Sequence, residues 1–380
     1  MDFIKARYIM MGPIFSTMAS AYYYLVLYAI TNLFGVFNPL IVLTIVTALF
    51  IISLFSFTME HFKTTSFTRF LLTISETLKW LFLVYGIFTL FIYIFFNYLL
   101  NFFNYLLNFF INFSINIPNN ILYTLYLFIY CVIIPILAIY AYYNAHHLIV
   151  KEHNLYIKNL TEELSLIHIS DLHIGSIRNK KLLTNLTKKI NSIACDLVII
   201  SGDLADGSCP IDEDMFIPLK ELNKPIFFTY GNHDYYMGID ALDIATSKAG
   251  IYCLNNENTV FKGLNIYGLS FSLGSSNDMS EIEKIARNID KNQANLLIYH
   301  IPSNWDFFKS IGFDIQLSGH THGGQFYPMN FFVKSQFPYL RGLFRDKNSY
   351  LSVSDGVGTL SPPMRLGTHS EIVLLNLKKK

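Results

Sequence analysis

Ser165–Ser170 (SLIHIS) runs straight into Asp171-Leu172-His173, and this join of a short apolar run to chemically active side chains decides how the chain is read. The join recurs four times. Leu197–Ser201 (LVIIS) leads into Gly202-Asp203, and Pro225–Tyr230 (PIFFTY) into Gly231-Asn232-His233-Asp234. Leu296–Tyr299 (LLIY) leads into His300, and Ile315–Ser318 (IQLS) into Gly319-His320-Thr321-His322. Apolar runs of this length, bounded by Gly or Asp, read as buried strands. The amphipathic stretches Asn179–Ser192 and Met279–Ile289 read as intervening helices. Polar side chains gathered at the carboxyl ends of strands mark the place where an α/β sheet builds its site.

The residue types point to metal. Imidazole, carboxylate and amide side chains together suit manganese, zinc or iron, and they disfavour an all-oxygen calcium site. Asp171, His173, Asp203, Asn232, His300, His320 and His322 are candidate ligands, too many for one tetrahedral ion. They suit two divalent ions about 3.5–4 Å apart that share a carboxylate. Asp-x-His reads as two side chains on one face of a strand end, because alternate residues share a face, and Gly-His-Thr-His reads the same way. Gly202, Gly231 and Gly319 read as turn positions where another residue would be strained. Any one piece alone is a weak signal; the five in this order carry the reading.

Outward from these blocks the composition changes sharply. Hydrophobic residues make up 52% of the 380-residue chain and charged residues only 14%, but the average hides a division. Neither Tyr8–Met59 nor Trp80–Val150 contains an Asp, Glu, Lys or Arg. A helix needs about 20 apolar residues to cross the hydrocarbon core. The two stretches read as four spans, about 8–34, 40–58, 80–100 and 121–143, with Asn32, Gly35, Asn38 and Pro39 breaking the first stretch. Residues 1–150 are thus expected to form a membrane region, 151–163 a linker and 164–380 a catalytic domain. Lys5 and Arg7 precede span one, Lys63, Arg69 and Lys79 fall between spans two and three, and Lys151 and Lys158 follow span four. That distribution expects a multi-pass protein of the lipid bilayer with both ends inside and the catalytic part facing the cytoplasm. Asn97–Phe103 (NYLLNFF) recurs immediately as Asn104–Phe110, either extending the third helix or lying along the interface.

Past Asn159 the chain carries 21 Lys and Arg against 23 Asp and Glu. A nuclease usually needs a basic surface to grip phosphates, so long nucleic acid is disfavoured. Cys131, Cys195, Cys209 and Cys253 contain no CxxC pair and read as reduced, buried residues. His146, His147 and His153 read as interfacial polar groups at a helix end, with a metal or a lipid headgroup as the alternative they could bind.

The ordered set SDLHIG (170–175), SGDLAD (201–206), YGNHD (230–234), YHIP (299–302) and SGHTHGGQ (318–325) resembles the calcineurin-like metallophosphoesterase family, over about 164–377. The GHTHGGQ block resembles a bacterial branch that often carries membrane segments, and the resemblance implies a bacterial-type inner membrane as the expected location. The resemblance implies an α/β (α+β) sandwich, two mixed sheets flanked by helices, after an all-α membrane region. It implies two divalent metal ions (Mn, Zn or Fe), one held by Asp171, His173 and His322 and the other by Asn232, His300 and His320, with Asp203 bridging. A water between them would attack phosphorus in line. His233 would be the general acid, with Asp234 orienting its ring or serving only as a turn residue. Arg178 and Arg365 are expected either on the phosphate or on the surface.

The expected activity is cleavage of a phosphoester or pyrophosphate, on a phosphorylated small molecule or lipid near the membrane. Only about 28 residues separate Tyr143 from Asp171, which keeps the site near the bilayer. The aromatics of a cleft between Phe271–Asp278 and the Phe326–Phe344 region are read either as a place for acyl chains or as residues that only complete the core or rest on lipid. The alternatives are a phosphodiesterase for soluble nucleotides with the membrane part only an anchor, and a catalytically silent metal-binding scaffold. A transporter is disfavoured because the expected spans hold no charge in their interiors. No protein partner is read from the sequence.

Overall fold

The computed structural model of the protein describes residues 3–115, 117–271, 282, 284, 285, 287 and 289–380. Helices α1 (Phe3–Leu33), α2 (Pro39–Phe62) and α3 (Ser66–Ile94) come first. The Asn38 side chain starts α2 by accepting from the Leu40 and Ile41 N–H groups, and Pro39 needs no donor partner at the first position. A reciprocal Thr65–Thr68 capping box starts α3. The chain then runs through a π-helical turn, Phe95–Leu99, into α4 (Leu100–Ile111). The duplicated heptads therefore extend the third helix. After α5 (Asn119–Phe128), a second π-helical turn, Ile129–Ile133, leads into α6 (Ile134–His146).

Among the described residues four segments, Gly12–Leu33, Pro39–Phe62, Ser66–Ile94 and Ile121–His146, are long and apolar enough to cross a membrane. The third begins well before the expected Trp80. Arg69, Glu76 and Lys79 thus ride on α3 instead of occupying a loop, and Glu76 and Lys79 pair at 2.5 Å one turn apart. Large apolar side chains such as Leu40, Phe91 and Ile139 point outward, while small polar ones meet between helices, with Ser16 and Ser53 hydroxyls 3.1 Å apart.

Among the described residues twelve strands follow: β1 (Leu148–Ile157), β2 (Leu164–Ile169), β3 (Leu197–Ile200), β4 (Ile226–Phe228), β5 (Ile251–Cys253), β6 (Glu257–Phe261), β7 (Leu264–Leu269), β8 (Ala294–Tyr299), β9 (Ile315–Ser318), β10 (Gly342–Asp346), β11 (Ser349–Val353) and β12 (Ser370–Lys379). They form two mixed six-stranded sheets, ordered β1-β12-β2-β3-β4-β5 and β10-β11-β9-β8-β7-β6. Leu166, Leu197 and Ile199 of the first sheet pack on Ile266, Leu296 and Leu317 of the second to make a dry central layer. Helices α7 (Lys180–Asn191) and α8 (Ile239–Lys248) cover the outer face of the first sheet, and α9 (Trp305–Ile311) sends Phe308 against the second. A short α10 (Met329–Gln336) follows. Of the expected helices, Asn179–Ser192 forms as α7, capped by Asn179, whereas much of Met279–Ile289 lies outside the described residues.

The segment expected as a linker is mostly strand. Residues 148–157 pair in parallel along the whole of β12, because alternate side chains Leu155 and Ile157 are buried in the central layer. The helical part is tied down directly at this point. Carbonyls near the end of α6 accept from the sandwich: Ala141 from the Arg365 N–H at 2.9 Å, and Ala145, in the last turn where helix carbonyls lack an intrahelical partner, from the Ser370 hydroxyl at 3.0 Å and the Arg178 guanidinium at 2.9 Å.

Removing side-chain volume from the central layer is expected to cost far more than removing it at the surface. Leu166→Ala should destabilise by about 2–5 kcal/mol, while Val260→Ala on an exposed strand face should stay within about 0.5 kcal/mol. Denaturant unfolding of the full-length protein in detergent measures both.

Candidate metal centre

Each block places its side chains just beyond a strand. Asp171 and His173 follow β2, Asp203 follows β3, Asn232 follows β4, His300 follows β8, and His320 and His322 follow β9. Neighbouring loops are stitched together: the Asp171 N–H donates to the Gly202 carbonyl, the His173 N–H to the Asp203 carbonyl and the Gly319 N–H to the His300 carbonyl, at 2.9–3.0 Å. Both sheets thus deliver their carboxyl ends to one spot.

Among the described residues, three overlapping groups of side chains converge there, each with ligand atoms within 4.8 Å of one another: Asp171, His173 and His322 form the first, Asp203, His300 and His320 the second, and His173, Asp203 and His233 link them. In the first, His322 Nε2 is 3.3 Å and His173 Nε2 3.9 Å from Asp171 Oδ1, and the two Nε2 atoms are 3.1 Å apart. Ligands at about 2.1 Å in tetrahedral array lie about 3.4 Å apart, so this spacing fits a transition-metal ion. In the second, His300 Nε2 is 3.1 Å from Asp203 Oδ2, and Asn232 Oδ1 lies 3.0 Å from His320 Nδ1. Asp203 Oδ2 is also 3.7 Å from His173 Nε2, so one carboxylate stands between the groups. All seven expected ligands meet in one place.

The surroundings fit a cation as well. His300 Nδ1 lies 2.7 Å from the Ser201 carbonyl, to which it can only donate, which leaves Nε2 facing the carboxylates. Burial pushes Asp171 up to about 6 and His173 and His322 well below the usual imidazole range. Asp203 is held well below the carboxylate range against its burial, by His300 and His233. Burial also opposes a charge on His300, but Asp203 and Asp171 outweigh it and push that ring up to about 10. Two carboxylates this deep require positive charge beside them.

The geometry corrects how the convergence was expected to arise. Asp171 and His173 do not share a strand face. Both lie past the end of β2 with left-handed backbone, φ 50° and 46°, and Asp203, His320 and His322 adopt φ of 52°, 70° and 50°. Non-glycine residues held there cost on the order of 1–3 kcal/mol each, so the strain sits in the candidate ligands themselves. Gly202, at φ 95°, is a true turn glycine. Gly231 and Gly319 serve by having no side chain: a Cβ would lie 2.2 Å from Asp203 Oδ1 and from Asp171 Oδ2, respectively.

Asp234 does not touch the His233 ring. Its carboxylate accepts from the N–H groups of Gly231, Asp203 and Ala205 at 2.8–2.9 Å, fixing the loops that carry Asp203 and Asn232. His233 Nδ1 instead faces the Asp206 carbonyl at 2.8 Å, a contact hidden in the last residue of the SGDLAD block. Arg178 and Arg365 are neither on the surface nor free for phosphate. Arg365 donates to the carbonyls of Asp355, Gly356 and Gly358, and the Gly358 N–H in turn reaches the Asp171 carbonyl. Burial and Arg365 push Arg178 down to about 9. None of His146, His147 and His153 belongs to any of these groups. All four cysteines are free, but only Cys195 and Cys209 are buried.

A cavity of about 440 Å³ opens beside His173 and His233. Its far wall comes from the helices: Phe15 of α1, Phe57 of α2, and Leu72, Glu76 and Lys79 of α3. The expected wall at Phe271–Asp278 lies outside the described residues from 272 onward.

Residues 164–324 match the family model described as calcineurin-like phosphoesterase. An uncharacterized metallophosphoesterase of Campylobacter jejuni is 33% identical over 237 residues, 61% of this chain and 63% of that protein. The uncharacterized protein YpbG of Bacillus subtilis is 33% identical over 56% of this chain and 81% of its own length. The chain belongs to the calcineurin-like phosphoesterase family. The match lies in the sandwich, and the chain spans less than two thirds of the length of the Campylobacter relative. A Danio rerio protein named transmembrane protein with metallophosphoesterase domain is 26% identical over 65% of this chain and 62% of its own.

If Asp234 holds loops and not the His233 ring, Asp234→Ala strips acceptors from three buried N–H groups, each worth about 1–3 kcal/mol. The variant should lose several kcal/mol of stability and much of its bound metal. Calorimetry with elemental analysis checks this; a change in the pH–rate profile alone would restore the ring-orienting role.

Proposed function

We propose that this phosphoesterase is a membrane-anchored dinuclear-metal hydrolase that cleaves a phosphoester or pyrophosphate in a membrane-proximal or lipid-linked substrate. The observation that carries the reading is Asp203, whose carboxylate stands between two ligand groups at 3.1 and 3.7 Å. Asp171, His173 and His322 would hold one divalent ion, Asn232, His300 and His320 the other, and Asp203 both. Manganese, zinc or iron fits this donor set. When bound, such a pair supplies Lewis-acid polarisation of the phosphoryl oxygens and activation of the attacking water.

The chain's own residues do the rest. His233 donates from Nδ1 to the Asp206 carbonyl, which leaves Nε2 directed away from that bond and available to a leaving oxygen in the cavity it lines. Protonated, it neutralises the departing alkoxide or phosphate. Its backbone N–H donates to Asp203 Oδ1 at 2.8 Å, so proton donor and bridging carboxylate move as one piece. Burial of the candidate ligands excludes bulk water, which strengthens every charge interaction at the phosphate.

The helices support a membrane-proximal substrate because they build one wall of the same cavity. In this reading they span the bilayer four times. The N-terminal end of α1, the C-terminal end of α2, the N-terminal end of α3 and the C-terminal end of α6 share the side of the phosphoesterase domain. The Lys and Arg residues near those ends put that side in the cytoplasm.

Asp203→Ala should abolish metal binding and turnover, whereas His233→Ala should keep the metal and lose about 10²–10⁴-fold in rate. Each purified variant is assayed on bis-p-nitrophenyl phosphate with elemental analysis. Full activity in Asp203→Ala rejects the bridging role.

A further inference from the structure

Two cavities lie along one seam between α1 and α3. The first is the 440 Å³ cavity at the metal centre, where Gly12 and Phe15 face Leu72, Glu76 and Lys79. The second, about 630 Å³, is lined by Val26, Ala29 and Leu33 of α1 and by Gly86, Leu90 and Tyr93 of α3. The spacing joins them. On α3, positions 72, 76 and 79 continue through Leu83 to 86, 90 and 93 in steps of three and four. On α1, positions 12 and 15 continue through Ala19 and Tyr22 to 26, 29 and 33. Such steps keep to one helix face, so a single stripe on each helix lines both cavities.

The seam has a polar end and an apolar end. At the metal centre it offers the Lys79 ammonium, paired with Glu76 at 2.5 Å. Farther along, its lining is almost wholly hydrocarbon and aromatic, and the rim residues Leu25 and Leu90 are 61% and 59% exposed, so the seam opens sideways. Tyr22 donates to the Leu83 carbonyl at 3.3 Å between the two cavities, and only glycine fits at position 86, where a Cβ would lie 1.9 Å from the Tyr22 hydroxyl oxygen. From Phe15 to Leu33 the helix rises about 27 Å, close to the roughly 30 Å hydrocarbon thickness.

We propose that this seam binds the substrate's hydrocarbon chain: the substrate is a phosphate ester or pyrophosphate of a long-chain lipid, with its phosphate toward the metal centre and Lys79 and its chain along α1 and α3. The inference rests on the phosphohydrolase reading above and adds the substrate class and the residues that select it. A soluble nucleotide has no group for the apolar cavity. Position fixes the orientation, since the candidate metal ligand His173, His233 and Lys79 line one end of the seam and hydrocarbon lines the other.

The test uses the full-length protein in phosphatidylcholine nanodiscs containing a trace of phosphatidic acid with a diazirine in mid-chain. Photolysis and peptide mass spectrometry should place label on α1 and α3 about tenfold above the outer faces of α2 and α6. Unlabelled phosphatidic acid should compete and extra phosphatidylcholine should not. Ala29→Trp, which fills the apolar cavity, and Lys79→Gln, which removes the charge, should each cut labelling several-fold, whereas Ile139→Trp on the outward face of α6 should not. Label spread evenly over all outer faces, or unmoved by both seam variants, overturns the inference.

A second arm separates the two readings. With manganese present, the ratio of kcat/KM for phosphatidic acid to that for bis-p-nitrophenyl phosphate should fall about tenfold in Ala29→Trp. If the wild type turns over neither substrate, the hydrolase reading fails. If it turns over the soluble diester and the ratio does not fall, the seam proposal alone fails.

Discussion

The arrangement of Asp203 is the constraint on which the site depends. One oxygen accepts from the His233 backbone while the other faces His300 and His173, so a single carboxylate is committed on both sides. Holding it there takes a left-handed backbone at Asp203, a glycine at 231 that leaves room for its oxygen, and a buried Asp234 that grips the flanking N–H groups. None of these is favourable by itself. A strained residue, a missing side chain and a buried acid are tolerated because the central layer between the sheets is apolar and well packed, and it absorbs their cost.

The two-sheet architecture explains why the site needs both halves of the domain. The first sheet brings Asp171, Asp203 and Asn232 to its carboxyl edge, and the second brings His300, His320 and His322 to its own. Packing through Leu166, Ile199, Leu296 and Leu317 aligns those edges. Arg365 then locks the 355–358 loop beneath Asp171, and Arg178 reaches from the same region to the end of α6. The helices and the sandwich are joined through backbone carbonyls and not through a flexible tether. That is why helix residues can form part of the wall beside His233.

How much of this was legible in the sequence varies by residue. The candidate ligands could be picked out because imidazole, carboxylate and amide groups stood at the ends of apolar runs, and charge-free stretches marked the apolar helices. The start of α3 was misread: Arg69 and Lys79 looked like loop charges, yet Thr65 caps a helix in which Glu76 and Lys79 pair one turn apart. The strand β1 was invisible because Lys151, Glu152, His153 and Asn154 put polar side chains on both of its faces, and its pairing partner lies more than 200 residues away. Asp234 gave no local sign of its role, since an acid beside a histidine reads as a partner for the ring.

What the sequence alone determined is chemical: which side chains can hold a cation, which stretches avoid water, and in what order strands and helices alternate. These follow from residue type and local period, which any short window displays. What only tertiary structure decided is spatial: that the candidate ligands divide into two groups around Asp203, that Asp234 and Arg365 hold loops and not substrate, and that α1 and α3 face the site. Those facts depend on backbone angles at a few strained residues and on contacts between segments far apart in the chain. Neither is encoded in any neighbourhood of the sequence small enough to read by pattern.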